Sequence, residues 1–264
     1  MDLELTGRRA VITGGSRGIG LSCARVLAAE GVDLALVARD PEALDTAAGE
    51  VDTLGPGRVI TVPTDTGDAD SVLAMAKTVR AELGGADILI NSAARPNTGR
   101  ARPMGDDDLA DEVNVKVAGY LRCARALAPG MVDSGWGRII NIAGLAARWT
   151  GSVTGSVRNV AVAAMTKNLA DEYGSRGITV NVVHPGMTRT ERTPDTLVGM
   201  AAAADEGTTV EQVQADLESR IAIGRMVTGE EIAWLVAFLA SPKGVAVNGD
   251  AVVAGGGLRG TIHY

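Results

Sequence analysis

Short apolar runs alternate with longer amphipathic ones along almost the whole chain, and no other feature limits its possible folds so strongly. An apolar run of about four to eight residues followed by a helix-length amphipathic stretch is the pattern of a βαβ unit, whose parallel strands are buried on both faces. Seven runs read as strands, at residues 10–13, 34–38, 59–63, 88–91, 138–142, 179–184 and 251–253. Between them a helical period covers residues 18–30, 41–54, 69–83, 109–134, 157–174 and 230–240. Pro41 suits a first helical turn, and Gly31 and Gly174 stand where a left-handed residue would end a helix. The expected fold is α/β, a doubly wound seven-stranded parallel sheet with helices on both faces.

Residues 190–223 break the rhythm with partly polar, helix-like sequence, which suits a flap over a ligand. Within that stretch the Ala-rich run 200–204 reads as one turn of helix. No linker or repeat marks a second domain, so residues 1–264 are expected to form one domain around a core that 46% hydrophobic content can fill. A net charge of −7 without a clustered basic face points away from nucleic acid and toward small-molecule ligands. Cys23 and Cys123 lie in separate helical stretches with no disulfide spacing, so both read as packing residues in a reducing compartment. No grouping of residues reads as a metal site. The first ten residues lack a signal-peptide pattern and no run of eighteen uncharged apolar residues follows, so a cytoplasmic protein with no membrane partner is expected.

The first strand leads into Thr13-Gly14-Gly15-Ser16-Arg17-Gly18-Ile19-Gly20 and then directly into a helix. Gly14 permits a tight turn, Gly18 lets the backbone approach a pyrophosphate, and Gly20 allows close helix packing. The helix N-terminus adds N–H groups and partial positive charge. The expected sheet is therefore Rossmann-type and its expected ligand a nicotinamide dinucleotide. The spacing TGxxxGxG, with Thr13, Gly14, Gly18 and Gly20, resembles that of the short-chain dehydrogenases/reductases, and the likeness extends over essentially the whole chain. Thr64-Asp65, Asn91-Ser92-Ala93-Ala94 and Pro185-Gly186-Met187-Thr188 follow the third, fourth and sixth strands, where that family contacts its cofactor.

The resemblance implies that Ser16, Arg17 and Ile19 join the glycines around the cofactor. It further implies that Asp65 meets the adenine amino group, that Asn91 lies near the adenosine ribose, and that Pro185, Gly186 and Thr188 meet the nicotinamide carboxamide. A helix cap at Asp65 and a strand end at Asn91 are the alternatives, and Ser92 and Ala94 depart from the family's usual NNAG. At the end of the second strand, Arg39 together with Arg17 would clamp a 2′-phosphate, favouring NADP(H) over NAD(H). That preference weakens if Asp40 pairs with Arg39 instead of capping the next helix.

Family members ordinarily use a tyrosine acid, a lysine one helical turn later and a serine that holds the substrate oxygen. The landmarks Thr166-Lys167 and Leu169-Ala170 put Gly155 at the tyrosine position, Asn159 at the lysine position and Gly144 at the serine position. Asn114, in Asn114-Val115-Lys116-Val117-Ala118-Gly119, is retained where the family runs a water relay through the helix backbone. A one-residue slip would bring Thr154 and Arg158 to the tyrosine and lysine places. Ser152, Thr154 and Ser156 read as cleft hydroxyls or helix caps, Tyr120 and Tyr173 as packing or surface residues, and His184 as a candidate base at the sheet's carboxyl edge. Arg148-Trp149 reads either as a binder of an anionic or planar group or as an ordinary loop.

Three functions fit these residues. The first is a divergent oxidoreductase acting on a small carbonyl or alcohol, with water or another residue as proton donor. The second is a catalytically inactive regulatory protein that senses the dinucleotide, and the third a non-redox lyase or hydrolase. The three losses lead to an expectation of dinucleotide binding with little or no turnover of common ketones, aldehydes and secondary alcohols. A homo-oligomer, tetramer or dimer, is implied by the resemblance and by the Ala, Val and Leu content of the 109–134 and 157–174 helices.

Overall fold

The computed structural model describes residues 1–94, 106–149 and 152–259. Strands β1 (Arg9–Thr13), β2 (Asp33–Ala38), β3 (Val59–Pro63), β4 (Ile88–Asn91), β5 (Gly137–Ile142), β6 (Ile178–Pro185) and β7 (Ala251–Ala254) form one seven-stranded sheet. Their order is β3-β2-β1-β4-β5-β6-β7 and every pairing is parallel. The helices are α1 (Gly18–Ala29), α2 (Pro41–Val51), α3 (Ala69–Leu83), α4 (Asp106–Glu112), α5 (Gly119–Ser134), α6 (Val153–Tyr173), α7 (Thr193–Ala202), α8 (Val210–Ser219) and α9 (Gly229–Ala240).

Each expected strand is present to within one residue at either end, because burial, complete in the central strands and partial in the edge strands β3 and β7, leaves an apolar run. In β1, Ala10 and Ile12 pack into the layer built by α1, α2 and α9, while Val11 packs into the opposite layer of α3, α5 and α6; all three are fully buried. Cys23 lies in the first layer and Cys123 in the second, and burial pushes both thiols up to about 12, so both are inert packing residues at neutral pH. Among the described residues no helix is long and apolar enough to cross a membrane.

Helix ends follow their local chemistry. Asp40 accepts from the Glu42 and Ala43 N–H groups and caps α2, with Pro41 in the first turn, and Gly31 is left-handed after α1 as expected. Gly174 is not the left-handed terminator: its φ is −56°, the chain passes through a 3-10 turn (Gly174–Arg176), and Gly177 takes φ +81° instead. A Cβ at Gly177 would lie 2.0 Å from the Gly135 carbonyl oxygen, so crowding and conformation both demand glycine there. Helix α6 starts at Val153 rather than at residue 157 because the Ser152 hydroxyl accepts from the Gly155 N–H and caps it.

The expected 109–134 helix is interrupted. Between α4 and α5, residues Val113–Ala118 are π-helical, a local underwinding that shifts the helix face and often accompanies functional sites. The 190–223 stretch contains α7 and α8, which share a small cluster of Leu197, Val213, Ile221 and Met226, and the Ala-rich run forms the end of α7.

Candidate functional site

From β1 the chain winds outward through β2 and β3, then returns to place β4 on the other side of β1. At such a reversal the loops leaving the carboxyl ends of adjacent strands diverge and open a crevice. A cleft of about 890 Å³ lies there, toward the upper end of the range of about 300–1,000 Å³ typical of small-molecule sites. One wall is the glycine loop and the ends of β2 and β3, the other is the end of β5, the start of α6 and the turn Pro185, Gly186, Met187 and Thr188.

Glycine is required in the loop for three separate reasons. Gly14 has φ +68° and lies so near the β4 end that a Cβ would sit 3.0 Å from the Ser92 and Ala93 backbone. At Gly20 a Cβ would approach the Gly14 carbonyl oxygen to 2.2 Å, so α1 can start this close to the loop only with glycine. Gly18 has φ +59°, and its Cβ direction points into open space within the cleft. Ser16, Arg17, Gly18 and Ile19 line the cleft, as do Arg39 and Asp65.

Thr13 and Asn91 stand behind this wall rather than on it. The Thr13 hydroxyl accepts from the Ser92 and Ala93 N–H groups at 3.1 and 3.2 Å, and Asn91 donates to Asn141 Oδ1 at 2.9 Å; both residues are fully buried. Ser92, Ala93 and Ala94 form the surface there. Asp65 accepts from the Gly67 N–H, whereas Asp68 caps α3. Because Asp40 spends its carboxylate on α2, it leaves Arg39 at the cleft mouth with Arg17.

The Gly18 N–H donates to Glu191 Oε1 at 2.8 Å. A carboxylate from the segment before α7 thus occupies the anion position at the α1 N-terminus, which is where a pyrophosphate fits. A pyrophosphate taking that position would displace Glu191, so Glu191→Gln is expected to tighten NADPH binding about two- to fivefold, the equivalent of about 0.3–1 kcal/mol for a charge near a helix N-terminus. Titration calorimetry checks this, and unchanged or weaker binding would mean that Glu191 does not compete.

At the other end of the cleft Gly144 and Asn159 both face the ligand space, with a Cβ at Gly144 only 3.1 Å from Asn159 Nδ2. Asn159 is 3% exposed, and its Oδ1 has no hydrogen-bond partner among the described residues. Gly155 is turned away: a Cβ there would lie 2.9 Å from the Ser152 hydroxyl that caps α6. The Ser156 hydroxyl donates to the Trp149 carbonyl, and Thr154 is buried with its hydroxyl 3.4 Å from that of Ser152, so the three hydroxyls serve the start of α6.

His184 is buried with Nδ1 2.9 Å from the Gly144 carbonyl oxygen, behind the end of β5. Arg148 donates to the Ala251 carbonyl, leaving Trp149 to line the cleft. Burial holds the Tyr120 phenol far above its usual range while its hydroxyl donates to the Ile142 carbonyl; burial, with help from Glu172, also raises Tyr173. Neither is an available acid. Asn114 donates to the Gly67 carbonyl and accepts from Arg122 at Oδ1, and its own carbonyl also receives Arg122, so it ties the loop after β3 to the π-helical segment.

That segment carries the residue the sequence reading passed over. Lys116 is 5% exposed, lines the cleft, and donates from Nζ to the Ala143 carbonyl at 2.9 Å. Burial lowers its ammonium from the usual lysine range to about 7, with Arg158 lowering it further and Glu112 partly opposing. Arg158 and Glu112 are themselves ion-paired. The available signal was a single lysine in an apolar helical turn, Val113 to Ala118, and the π-helical shift hid which face it would take.

The family model described as enoyl-(acyl carrier protein) reductase matches residues 14–259, spanning every wall of this cleft. The chain belongs to the short-chain dehydrogenase/reductase family. Members of this family are NAD(P)-dependent oxidoreductases. The chain is 30% identical to 3-oxoacyl-(acyl-carrier-protein) reductase FabG of Vibrio cholerae over 266 residues, covering 97% of this chain and 99% of that one. The structure of L-sorbose reductase from Gluconobacter frateurii, complexed with NADPH and L-sorbose, matches with a TM-score of 0.92 and 31% identity over 99% of this chain and 100% of that chain. A short chain dehydrogenase from Burkholderia cenocepacia in complex with NADP matches with a TM-score of 0.80 and 32% identity, covering 96% and 98% of the two chains.

Proposed function

We propose that this family member is an NADP(H)-dependent oxidoreductase that interconverts a small carbonyl compound and its alcohol in an atypical active site lacking the family's serine, tyrosine and lysine. The observation that carries the reading is the pairing, across one cleft, of the glycine loop with the turn Pro185 to Thr188, with Gly144 and Asn159 between them. In this reading Gly14, Ser16, Arg17, Gly18 and Ile19 hold the pyrophosphate, Asp65 the adenine, and Pro185, Gly186 and Thr188 the carboxamide. Thr13, Gly20 and Asn91 brace the loops, Asn114 fixes the loop after β3, and His184 steadies the backbone at Gly144. The bound reduced dinucleotide supplies the hydride. The cleft walls orient the carbonyl and exclude water.

Arg17 and Arg39 at the mouth favour the 2′-phosphate, in line with the NADPH and NADP held by the two neighbouring structures. Charge-assisted hydrogen bonds contribute about 1.5–3 kcal/mol, so Arg39→Asp is expected to move the NADP/NAD affinity ratio toward NAD by about tenfold or more. An unchanged ratio would remove Arg39 from the phosphate site. The relatives' names place carbonyls on an acyl thioester and a ketohexose. The function is therefore tested by following the reduced-nicotinamide absorbance with an acetoacetyl thioester, L-sorbose and simple ketones; binding without oxidation of NADPH by any of them would contradict it.

The protein is further proposed to be one domain whose 190–223 stretch forms the substrate-side flap, and to act as a homo-oligomer, dimer or tetramer. Val153, Val157 and Val160 lie along one face of α6 and are 62%, 45% and 51% exposed, an apolar stripe that suits a second copy. Sedimentation velocity is expected to give an oligomer at micromolar concentration, and a monomer alone would refute it.

A further inference from the structure

We propose that Lys116 is the proton donor of the reduction: its ammonium holds the substrate's carbonyl oxygen and transfers a proton to it, the task that Gly144, Gly155 and Asn159 have no acidic group to perform. The inference rests on the reductase reading above. It begins from the side chains that line the cleft. A guanidinium is not a general acid near neutral pH, which sets aside Arg17, Arg39, Arg158 and Arg192, and the Asp40 and Asp65 carboxylates accept from backbone N–H groups. Serine and threonine hydroxyls are too weak as acids at neutral pH. Lys116 remains.

Its placement fits the task. The Ala143 carbonyl takes one of the three ammonium hydrogens, and Ala143 immediately precedes Gly144 at the carboxyl end of β5, on the same wall of the cleft as the Pro185 to Thr188 turn. The ammonium therefore stands at the substrate end of the cleft, beside the end of β5 and Arg158 of α6. Asn159 Oδ1, buried and without a partner among the described residues, offers an acceptor for a ligand hydroxyl in the same region. The surroundings also make the proton transferable. The charged groups bearing on Lys116 are Arg158 from α6 and Glu112 from α4, and they are paired with each other; β5 presents backbone, and Tyr120 of α5 is neutral with its hydroxyl on the Ile142 carbonyl. Burial therefore sets its value near 7, close to working pH, where a general acid is most effective.

In the step, hydride from the reduced dinucleotide reaches the carbonyl carbon while the carbonyl π electrons take one proton from Lys116 Nζ. The products are the alcohol, the oxidised dinucleotide and a neutral amine, which regains its proton from solvent. Reduction requires the ammonium, so its rate falls as pH rises past about 7; alcohol oxidation requires the amine and rises over the same interval.

The chain has only four lysines, Lys77, Lys116, Lys167 and Lys243, so a lysine labelled with carbon-13 at Cε can be titrated residue by residue with Lys116→Met as the assignment control. The proposal expects one resonance, absent from Lys116→Met, to titrate near 7. It also expects Lys116→Met to lower kcat for NADPH-dependent reduction of an acetoacetyl thioester or L-sorbose at least 100-fold, with the NADPH dissociation constant unchanged. Lys116→Arg, which keeps the charge but does not release its proton, should lose the inflection near pH 7. No resonance titrating near 7, or a Lys116→Met enzyme with undiminished kcat, would overturn the role of Lys116 and leave the reductase reading standing. A Lys116 that titrates near 7 in a wild-type protein that reduces neither probe would overturn the reductase reading, and the proposal with it.

Discussion

Gly18→Val is expected to weaken NADPH binding at least about 100-fold while the protein still folds. The two effects separate because of where the residue sits. A Cβ at Gly18 meets nothing within 4 Å in the protein itself, so the valine side chain projects into the space a pyrophosphate would take. The protein's own loss is the conformational strain of a β-branched residue at φ +59°, about 1–3 kcal/mol, which lowers the melting temperature of a domain this size by several degrees. Gly20 gives the contrasting case, since its added Cβ would strike the Gly14 carbonyl at 2.2 Å and the loop itself would have to move. Calorimetric titration with a thermal melt distinguishes them; retained affinity in Gly18→Val would refute the placement of the phosphates.

Glu112→Ala is expected to cost about 3–5 kcal/mol of stability, a large share of the roughly 5–15 kcal/mol available to a folded domain. Glu112 and Arg158 are paired with side chains only 11% and 15% exposed, and Lys116 lies beside them. Removing the carboxylate leaves two buried cations with no counter-charge. The double change Glu112→Ala with Arg158→Met is expected to recover most of the loss, because removing both charges ends the desolvation penalty along with the attraction. Urea unfolding of the single and double variants measures this, and a single variant within about 1 kcal/mol of wild type would show that the pair is not truly desolvated.

Strand positions and both helical layers were legible because each depends on a local pattern: Ala10, Val11 and Ile12 must be apolar on both faces wherever the chain ends up. The glycine loop was legible for the same reason, since the crowding at Gly14 and Gly20 and the left-handed backbone at Gly18 act within one turn and on the adjacent strand end. What escaped depends on contacts between distant segments. Gly174 and Gly177 differ only in which one approaches Gly135, a residue from another element. Thr13 and Asn91 read as ligand contacts because their position beside the cleft is right, but hydrogen bonds to Ser92, Ala93 and Asn141 draw them behind its wall. Glu191 reaches Gly18 from far along the chain, and nothing in its neighbours announces this. Lys116 was hidden by the π-helical segment, which offsets the face on which a regular 3.6-residue period would place it.

The same reasoning explains why restoring the family's acid is not a matter of one substitution. A tyrosine at Gly155 would crowd the Ser152 hydroxyl at 2.9 Å and disturb the α6 cap, and a serine at Gly144 would begin 3.1 Å from Asn159.

The central claim, that hydride transfer proceeds in this cleft without a tyrosine, is tested most directly by following the hydride itself. The protein is incubated with NADPH carrying deuterium at the nicotinamide C4 and with an acetoacetyl thioester or L-sorbose, and the products are analysed by mass spectrometry. The account predicts an alcohol with one deuterium on the former carbonyl carbon, delivered from only one of the two C4 faces. NADPH that binds but passes no deuterium to either carbonyl would contradict it.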